Sequence, residues 1–216
     1  MSKYSKKYLN MCIILLVSFI VWTCLIQTVD VKLIGESMTY VGFASINALF
    51  HSLTGVHMLI YVLTDWLSLV PVTICILFAC IGLKQWIERR NLLKVDRDIL
   101  LLGAYYIVVI GIYLFFERFP VNYRPILIEG IKEASYPSST TLLVLSVMLT
   151  SLFQCKKRMN DGFIKQSILY LNIGFSVFMV VGRLISGVHW ITDIIGSLMI
   201  SFALYYLYKS LVSMFD

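Results

Sequence analysis

Six apolar runs divide this chain, and each is close to the roughly 20 residues that carry a helix across a bilayer. They cover approximately residues 9–29, 67–86, 99–116, 138–153, 168–185 and 191–211. The runs are continuous rather than alternating, which excludes a β-barrel in favour of helices. Composition agrees: 59% of the 216 residues are hydrophobic and only 14% are charged. A soluble domain of this size carries about a quarter charged residues, so the surplus apolar surface needs lipid. The expected class is an all-α integral membrane protein with six transmembrane helices.

The charges set an orientation. A formal net charge of +6 invites a nucleic-acid partner, but the basic residues sit in short clusters between apolar runs. That is the pattern of loops retained on the cytoplasmic side, and it excludes nucleic acid as the partner. "KQWIERRNLLKVDRD" joins spans two and three, "CKKRMNDGFIKQ" joins spans four and five, and the N-terminus is also basic. Both termini are then expected in the cytoplasm. The first apolar run is too long for a signal peptide and reads as a span. The five cysteines, Cys12, Cys24, Cys75, Cys80 and Cys155, form no CxxC or metal-ligand spacing and read as small apolar residues. No metal or other cofactor is expected. Residues 1–216 read as one domain with no internal repeat.

The opposite face should carry segment 30–66, loop 117–137 and a tight turn near His189. In 30–66, Phe43, Ile46, Phe50 and Leu53 recur at helical spacing, with Asn47, His51 and Thr54 opposite. This predicts an amphipathic helix in the outer membrane interface, with re-entry into lipid marked by Asp65 or, alternatively, a second span that begins earlier, near Leu59. Residues able to do chemistry gather on this same face. "ERFPVNYRP" supplies Arg124, "YPSSTT" opens the fourth span, and "GRLISGVHWITD" supplies Arg183, His189 and Asp193. Ionisable residues at the edge of spans are functional candidates by default. Pro137 and Ser138 suit a helix start, with Ser138 as N-cap. The free N–H groups of that first turn, together with the helix dipole, favour a phosphate. Two arginines would add bidentate contacts to phosphoryl oxygens. His189 and Asp193 are four apart, so Asp193 can accept the Nδ1 proton and leave Nε2 free to attack. His51 and His57 either sit at the interface or supply a proton over the site. No span shows the buried charge or the broken helix of a transporter.

These residues resemble the type 2 phosphatidic acid phosphatase superfamily, which is related to the vanadium haloperoxidases. That family carries K-x6-R-P, then P-S-G-H, then S-R-x5-H-x3-D. Arg124 and Pro125 fit the end of the first motif, Pro137 and Ser138 the start of the second, and Arg183, His189 and Asp193 the third. The chain departs at Glu117 (lysine in the family), Ser139 (glycine), Thr140 (histidine) and Gly182 (serine). The resemblance implies a six-helix bundle over the whole chain. It also implies a nucleophilic His189 that forms a phosphohistidine, oriented by Asp193. Arg124, Arg183, Ser138, Ser139 and Thr140 would hold phosphate, and the usual leaving-group acid would be absent. Glu117 is a further candidate, either as a proton donor or paired with Arg118, Arg124 or Lys132.

The expected function is hydrolysis of a phosphorylated membrane lipid. A diphosphate expels a phosphate, whereas a monoester expels an alkoxide that needs a proton. Loss of the histidine therefore favours a polyprenyl diphosphate. The alternative is a catalytically impaired member that binds phosphorylated lipid without cleaving it. The expected setting is a bacterial plasma membrane, with the site on its extracytoplasmic side.

Overall fold

The computed structural model describes residues 2–215. Helix α1 (Lys3–Thr28) is followed by a short antiparallel hairpin, β1 (Lys32–Ile34) with β2 (Thr39–Val41), paired Lys32 with Val41. Then come α2 (Ala44–Thr54), α3 (Met58–Leu67), α4 (Leu69–Arg89), α5 (Arg97–Arg118), α6 (Ser139–Arg158), α7 (Phe163–Ile185) and α8 (Ile191–Val212). Six helical stretches among the described residues are long and apolar enough to cross a membrane, with α3 and α4 together forming the second. The protein is thus a multi-pass membrane protein.

The second span begins at Met58, nine residues before residue 67 and one residue from the alternative start near Leu59. It is interrupted at Ser68, which ends α3 and precedes α4. The cause is Pro71. It has no N–H to give the carbonyl of Leu67 and its ring crowds that carbonyl, so the ladder resets there. This break was not expected from the sequence. Segment 30–66 is accordingly not one interfacial piece: its last turns, α3, belong to a span.

Helices α6 and α8 form the centre. Of their membrane-spanning windows 61% and 56% of residues are buried, against 6% for α3 and α4. Their sequences explain the difference. Both carry small and hydroxylated residues, including Ser146, Thr150, Ser151, Gly196, Ser197, Ser201 and Ser210, which let backbones approach closely where no hydrophobic effect drives helices together. The Thr150 hydroxyl donates to the Ser146 carbonyl at 2.8 Å, and Ser5 and Ser210 exchange hydroxyl-to-carbonyl bonds at 3.0 and 2.9 Å between α1 and α8. Aromatic residues fill what remains, with Phe19 stacked on Tyr136 and Tyr208 tilted against Tyr105. Large apolar side chains point outward instead, Leu59 being 88% exposed. That inverts the soluble pattern because lipid is the surrounding solvent.

At the end of the bundle away from His189, an ion-pair knot ties α4, α5, α6 and α8. Both oxygens of the buried Asp98 accept from Arg158 Nη2 at 2.8 Å, and Tyr208 donates to the Asp98 carbonyl. Asp96, just before α5, accepts from Arg89 at 2.8 Å and Arg158 at 3.0 Å. Hydrogen bonds from Arg89 above all, then Arg158 and Gln85, hold its carboxyl down to about 2.

Helix α2 is amphipathic, although Phe43, which the spacing put on its apolar face, precedes the helix and stacks on Trp22 instead. Ile46, Leu49 and Leu53 are exposed, while buried Asn47 turns inward. Asn47 Nδ2 donates to the Gly42 carbonyl and to Thr192 Oγ1, so the polar face grips the start of α8 rather than facing water.

Candidate active site

Loop 117–137 is more ordered than its sequence suggests. Residues 122–124 and 133–135 pair antiparallel around a bridge between Tyr123 and Ala134. The Arg124 N–H donates to the Glu133 carbonyl at 3.1 Å, and the Ser135 N–H to the Asn122 carbonyl at 2.9 Å. Strand alternation then puts Asn122 and Arg124 on the same side as Glu133 and Ser135, with Tyr123 and Ala134 opposite. Asn122, Arg124 and Ser135 are all buried. The Tyr123 carbonyl accepts from Trp190 Nε1 at 2.8 Å, which fastens this hairpin to the α7–α8 turn.

That turn needs Gly187. Its φ is +73°, and a Cβ there would lie 2.1 Å from the carbonyl oxygen of Gly55. The tight approach seats the α2–α3 link on the turn: His57 N–H donates to the Ser186 carbonyl at 3.0 Å, and His51 Nε2 to the Gly187 carbonyl at 3.1 Å. His57 Nε2 donates to the Thr54 carbonyl at 2.8 Å. Both extra histidines are thus tied to backbone at the rim, the interfacial alternative of the two read from the sequence.

His189 is 3% exposed and Asp193 fully buried. Asp193 sits in the first turn of α8, where the helix dipole favours a carboxylate. Its Oδ2 accepts from the Trp190 N–H at 3.0 Å and its Oδ1 from Asn122 Nδ2 at 3.2 Å. His189 Nδ1 stands 3.8 Å from Oδ2, beyond hydrogen-bond length. The pair is adjacent, as its spacing predicts, but the bond that would orient the imidazole is not closed. Burial first, then the positive charges of Arg124 and Arg183, push the His189 imidazole well below its usual range. The ring is therefore neutral at neutral pH, the form a nucleophile requires.

The two arginines converge beside it. Arg183 is 1% exposed; its Nη1 donates to Thr64 Oγ1 at 3.4 Å and lies 3.8 Å from Asp65 Oδ1. Arg124 Nε lies 3.0 Å from Glu133 Oε2, an ion pair whose N–H is not aimed at the carboxylate. Arg124 Nη1, Arg183 Nε, both ring nitrogens of His189 and the Ser138 hydroxyl are buried with no hydrogen-bond partner among the described residues. Buried polar atoms are nearly always satisfied, so a cluster of unsatisfied donors calls for an acceptor-rich group such as a phosphoryl anion.

Ser138 occupies the N-cap position of α6, but its side chain makes no capping bond, contrary to the sequence expectation. Its carbonyl instead accepts from Ser197 Oγ at 3.1 Å, which joins α6 to α8 one turn beyond Asp193. Ser139 and Thr140 border a cleft of about 250 Å³ with Ser68, Val109, Tyr113 and Leu142, and neither hydroxyl is hydrogen-bonded among the described residues. Glu117 is exposed on the last turn of α5, bordering a second cleft with Ser135 and Ser139. It forms no ion pair among the described residues. The partners expected for it lie elsewhere: Arg124 with Glu133, Lys132 over the Tyr123 ring, and Arg118 over Phe119. Among the described residues no group of three or more His, Cys, Asp or Glu could hold a metal ion.

Sequence reasoning missed Asn122, Glu133, Ser135, Tyr61 and Thr64, and read Asp65 only as a membrane boundary. The available signal was the short polar–apolar–polar alternation of Asn122–Tyr123–Arg124 and Glu133–Ala134–Ser135.

The model of the PAP2 superfamily matches residues 105–215, which hold all the motif residues named above. No curated protein matches the sequence. Among solved structures, the chain is similar to the crystal structure of the first transmembrane PAP2 type phosphatidylglycerolphosphate phosphatase from Bacillus subtilis, with 17% identity and a TM-score of 0.61. The match covers 95% of this chain and 97% of that one. The structural similarity shows that the chain shares the fold of that transmembrane PAP2-type phosphatase, and the family match shows that it belongs to the PAP2 superfamily.

Proposed function

We propose that this chain is an integral membrane lipid phosphatase that hydrolyses a lipid phosphate, preferentially a polyprenyl diphosphate, through a phosphohistidine. Residues 1–216 act as one domain. The observation that carries the reading is the buried cluster in which a neutral His189 and two arginines have nitrogens without partners. His189 Nε2 attacks phosphorus and the bond to the leaving group breaks, its electrons departing on the bridging oxygen. The positive charge that develops on the phosphorylated ring is met by Asp193 through Nδ1–H. Arg124 and Arg183 hold the non-bridging oxygens, and the start of α6, with Ser138, Ser139 and Thr140, supplies further contacts to phosphate. Water then attacks phosphorus, releasing orthophosphate and restoring neutral His189. No metal takes part. With both basic loops and both termini cytoplasmic, the site faces the outer side of a bacterial plasma membrane.

Thr140 offers no imidazole to protonate a leaving group. General acid help is worth about 10²–10⁴ in rate, and it matters least when a phosphate is the leaving group. Hence the preference for a diphosphate. A second reading is a protein that binds phosphorylated lipid without cleaving it; the observation favouring it is the Glu133 carboxylate already beside Arg124. The test is orthophosphate release by the detergent-purified chain from a polyprenyl diphosphate, phosphatidic acid and phosphatidylglycerolphosphate, with His189→Ala as control. Faster release from the diphosphate, abolished in the variant, is the expected result. Faster cleavage of either monoester would sink the preference. Lipid binding with no release from any substrate would move the assignment to the second reading.

A further inference from the structure

Two guanidinium groups buried side by side repel each other with little water between to screen them. Arg124 and Arg183 are 8% and 1% exposed, and the carboxylates that partly counter them, Glu133 and Asp65, each pair with one arginine rather than joining the two. Both lie against one ring: the guanidinium carbon of Arg183 is 4.9 Å, and that of Arg124 5.7 Å, from the centroid of Tyr61. Each distance is inside the reach over which a ring face attracts a cation. Among the described residues no other aromatic ring approaches either guanidinium this way.

The placement of Tyr61 is enforced by α3. Thr64, one turn further on, packs its methyl where a Cβ on Gly182 would come within 2.8 Å. Its hydroxyl donates to the carbonyls of Ile60 and Tyr61 at 2.8 and 2.9 Å and accepts from Arg183. The close α3–α7 seam therefore fixes the height of the ring against the arginine that α7 carries.

We propose that Tyr61 is a positioning residue of the anion site: its ring holds the two like-charged guanidiniums together, so that their free N–H groups meet a single phosphoryl group. The inference rests on the reading that these arginines bind phosphate. The ligand chemistry is a phosphoryl anion, whether on a lipid or free, and the two arms of the test separate these sources.

The experiment is equilibrium binding of inorganic phosphate to the full chain in detergent, beside KM and kcat for a polyprenyl diphosphate. The variants are Tyr61→Phe, Tyr61→Leu, and a series with increasingly fluorinated phenylalanines at this position. Fluorine withdraws density from the ring face at nearly constant shape, so a packing role would not respond to it. Tyr61→Phe should bind phosphate within about threefold of the parent, since cation–π attraction needs the ring and not the hydroxyl. Tyr61→Leu should weaken phosphate binding and raise KM by about tenfold, with a smaller change in kcat. Affinity for both ligands should fall stepwise with fluorination. If Tyr61→Leu fails to fold, the fluorinated series alone decides. Flat affinity across that series, or parental phosphate binding by Tyr61→Leu, overturns the proposal while leaving the anion site intact. Failure of the parent chain to bind phosphate overturns the anion site itself, and this role with it.

Discussion

Gly182 precedes Arg183 at the point where α3 crosses α7, and replacing it with serine is a sharp test of that crossing. A Cβ at 182 would stand 2.8 Å from Thr64 Cγ2 and 3.7 Å from Ile60 Cγ2. Carbon atoms prefer about 3.5–4.0 Å, so the first contact must open by nearly 1 Å. Thr64 cannot swing aside, because it is fully buried and its hydroxyl bonds two carbonyls of its own helix. The strain must then shift α3 and with it Tyr61. Overpacking of this kind costs about 1–3 kcal/mol, offset by about 0.5 kcal/mol from the better helix propensity of serine. Gly182→Ser should therefore destabilise by about 1–2 kcal/mol and raise KM for the lipid. Thr64→Ser removes the offending methyl but keeps the hydroxyl that meets Arg183, at a cost of about 0.8 kcal/mol. In the double variant the new Cβ has room, so its stability should match Thr64→Ser alone. The assay is thermal unfolding of all four proteins in one detergent, with phosphate release measured in parallel. The expected coupling is about 1–2 kcal/mol in favour of the double variant; additivity within about 0.5 kcal/mol would show that the two sites do not collide and refute the reasoning.

Asn122→Leu removes the donor to Asp193 Oδ1, and kcat should fall about tenfold with little change in KM, as steady-state kinetics would show. Arg158→Met strips the buried Asp98 of its two-oxygen partner and should lower stability by about 2–3 kcal/mol in thermal unfolding, with part recovered by adding Asp98→Asn. His189 has a folded-state pKa depressed below its unfolded value of about 6.5, so its contribution to stability is complete above that pH and is lost as the pH falls below it. Stability of the parent should accordingly decline between about pH 6.5 and 5 more steeply than that of His189→Ala, and kcat/KM should show no acid limb near 6.5. Thr140→His places an imidazole at the helix end and should raise cleavage of phosphatidic acid relative to diphosphate by up to about 10²; an unchanged ratio would defeat the leaving-group argument.

The spans were legible because lipid imposes a composition that no other environment demands, and boundaries such as 191–211 against Ile191–Val212 differ by one residue. Arg124, His189, Asp193 and Arg183 were legible for a related reason: polar residues at the ends of apolar runs have few other uses. The rest of the cluster was hidden. Asn122, Glu133 and Ser135 enter through a pairing of three residues on each side, too short for alternation to stand above chance. Tyr61 and Thr64 come from α3, whose apolar surface marks it as lipid-facing while one side touches both arginines. The break at Ser68 was signalled by Pro71, and it was the continuous hydropathy around that proline that concealed it.

Two elements outside the recognisable motifs thus decide how strongly the arginines can hold an anion. The hairpin brings Glu133 to 3.0 Å from Arg124, and α3 brings Asp65 to 3.8 Å from Arg183. Each cation is already partly countered, so under the proposed function a phosphoryl group would be held by the difference between its own attraction and that of the resident carboxylates. Asp65 and Glu133 are 59% and 37% exposed in their side chains, which leaves them free to swing towards water as the anion enters. His189 and Asp193 have no such freedom, being closed in by the turn, the hairpin and the first turn of α8. Under the proposed chemistry the division follows the physics: groups that form and stabilise a bond to phosphorus are buried and dry, while groups that tune affinity sit at the wet edge.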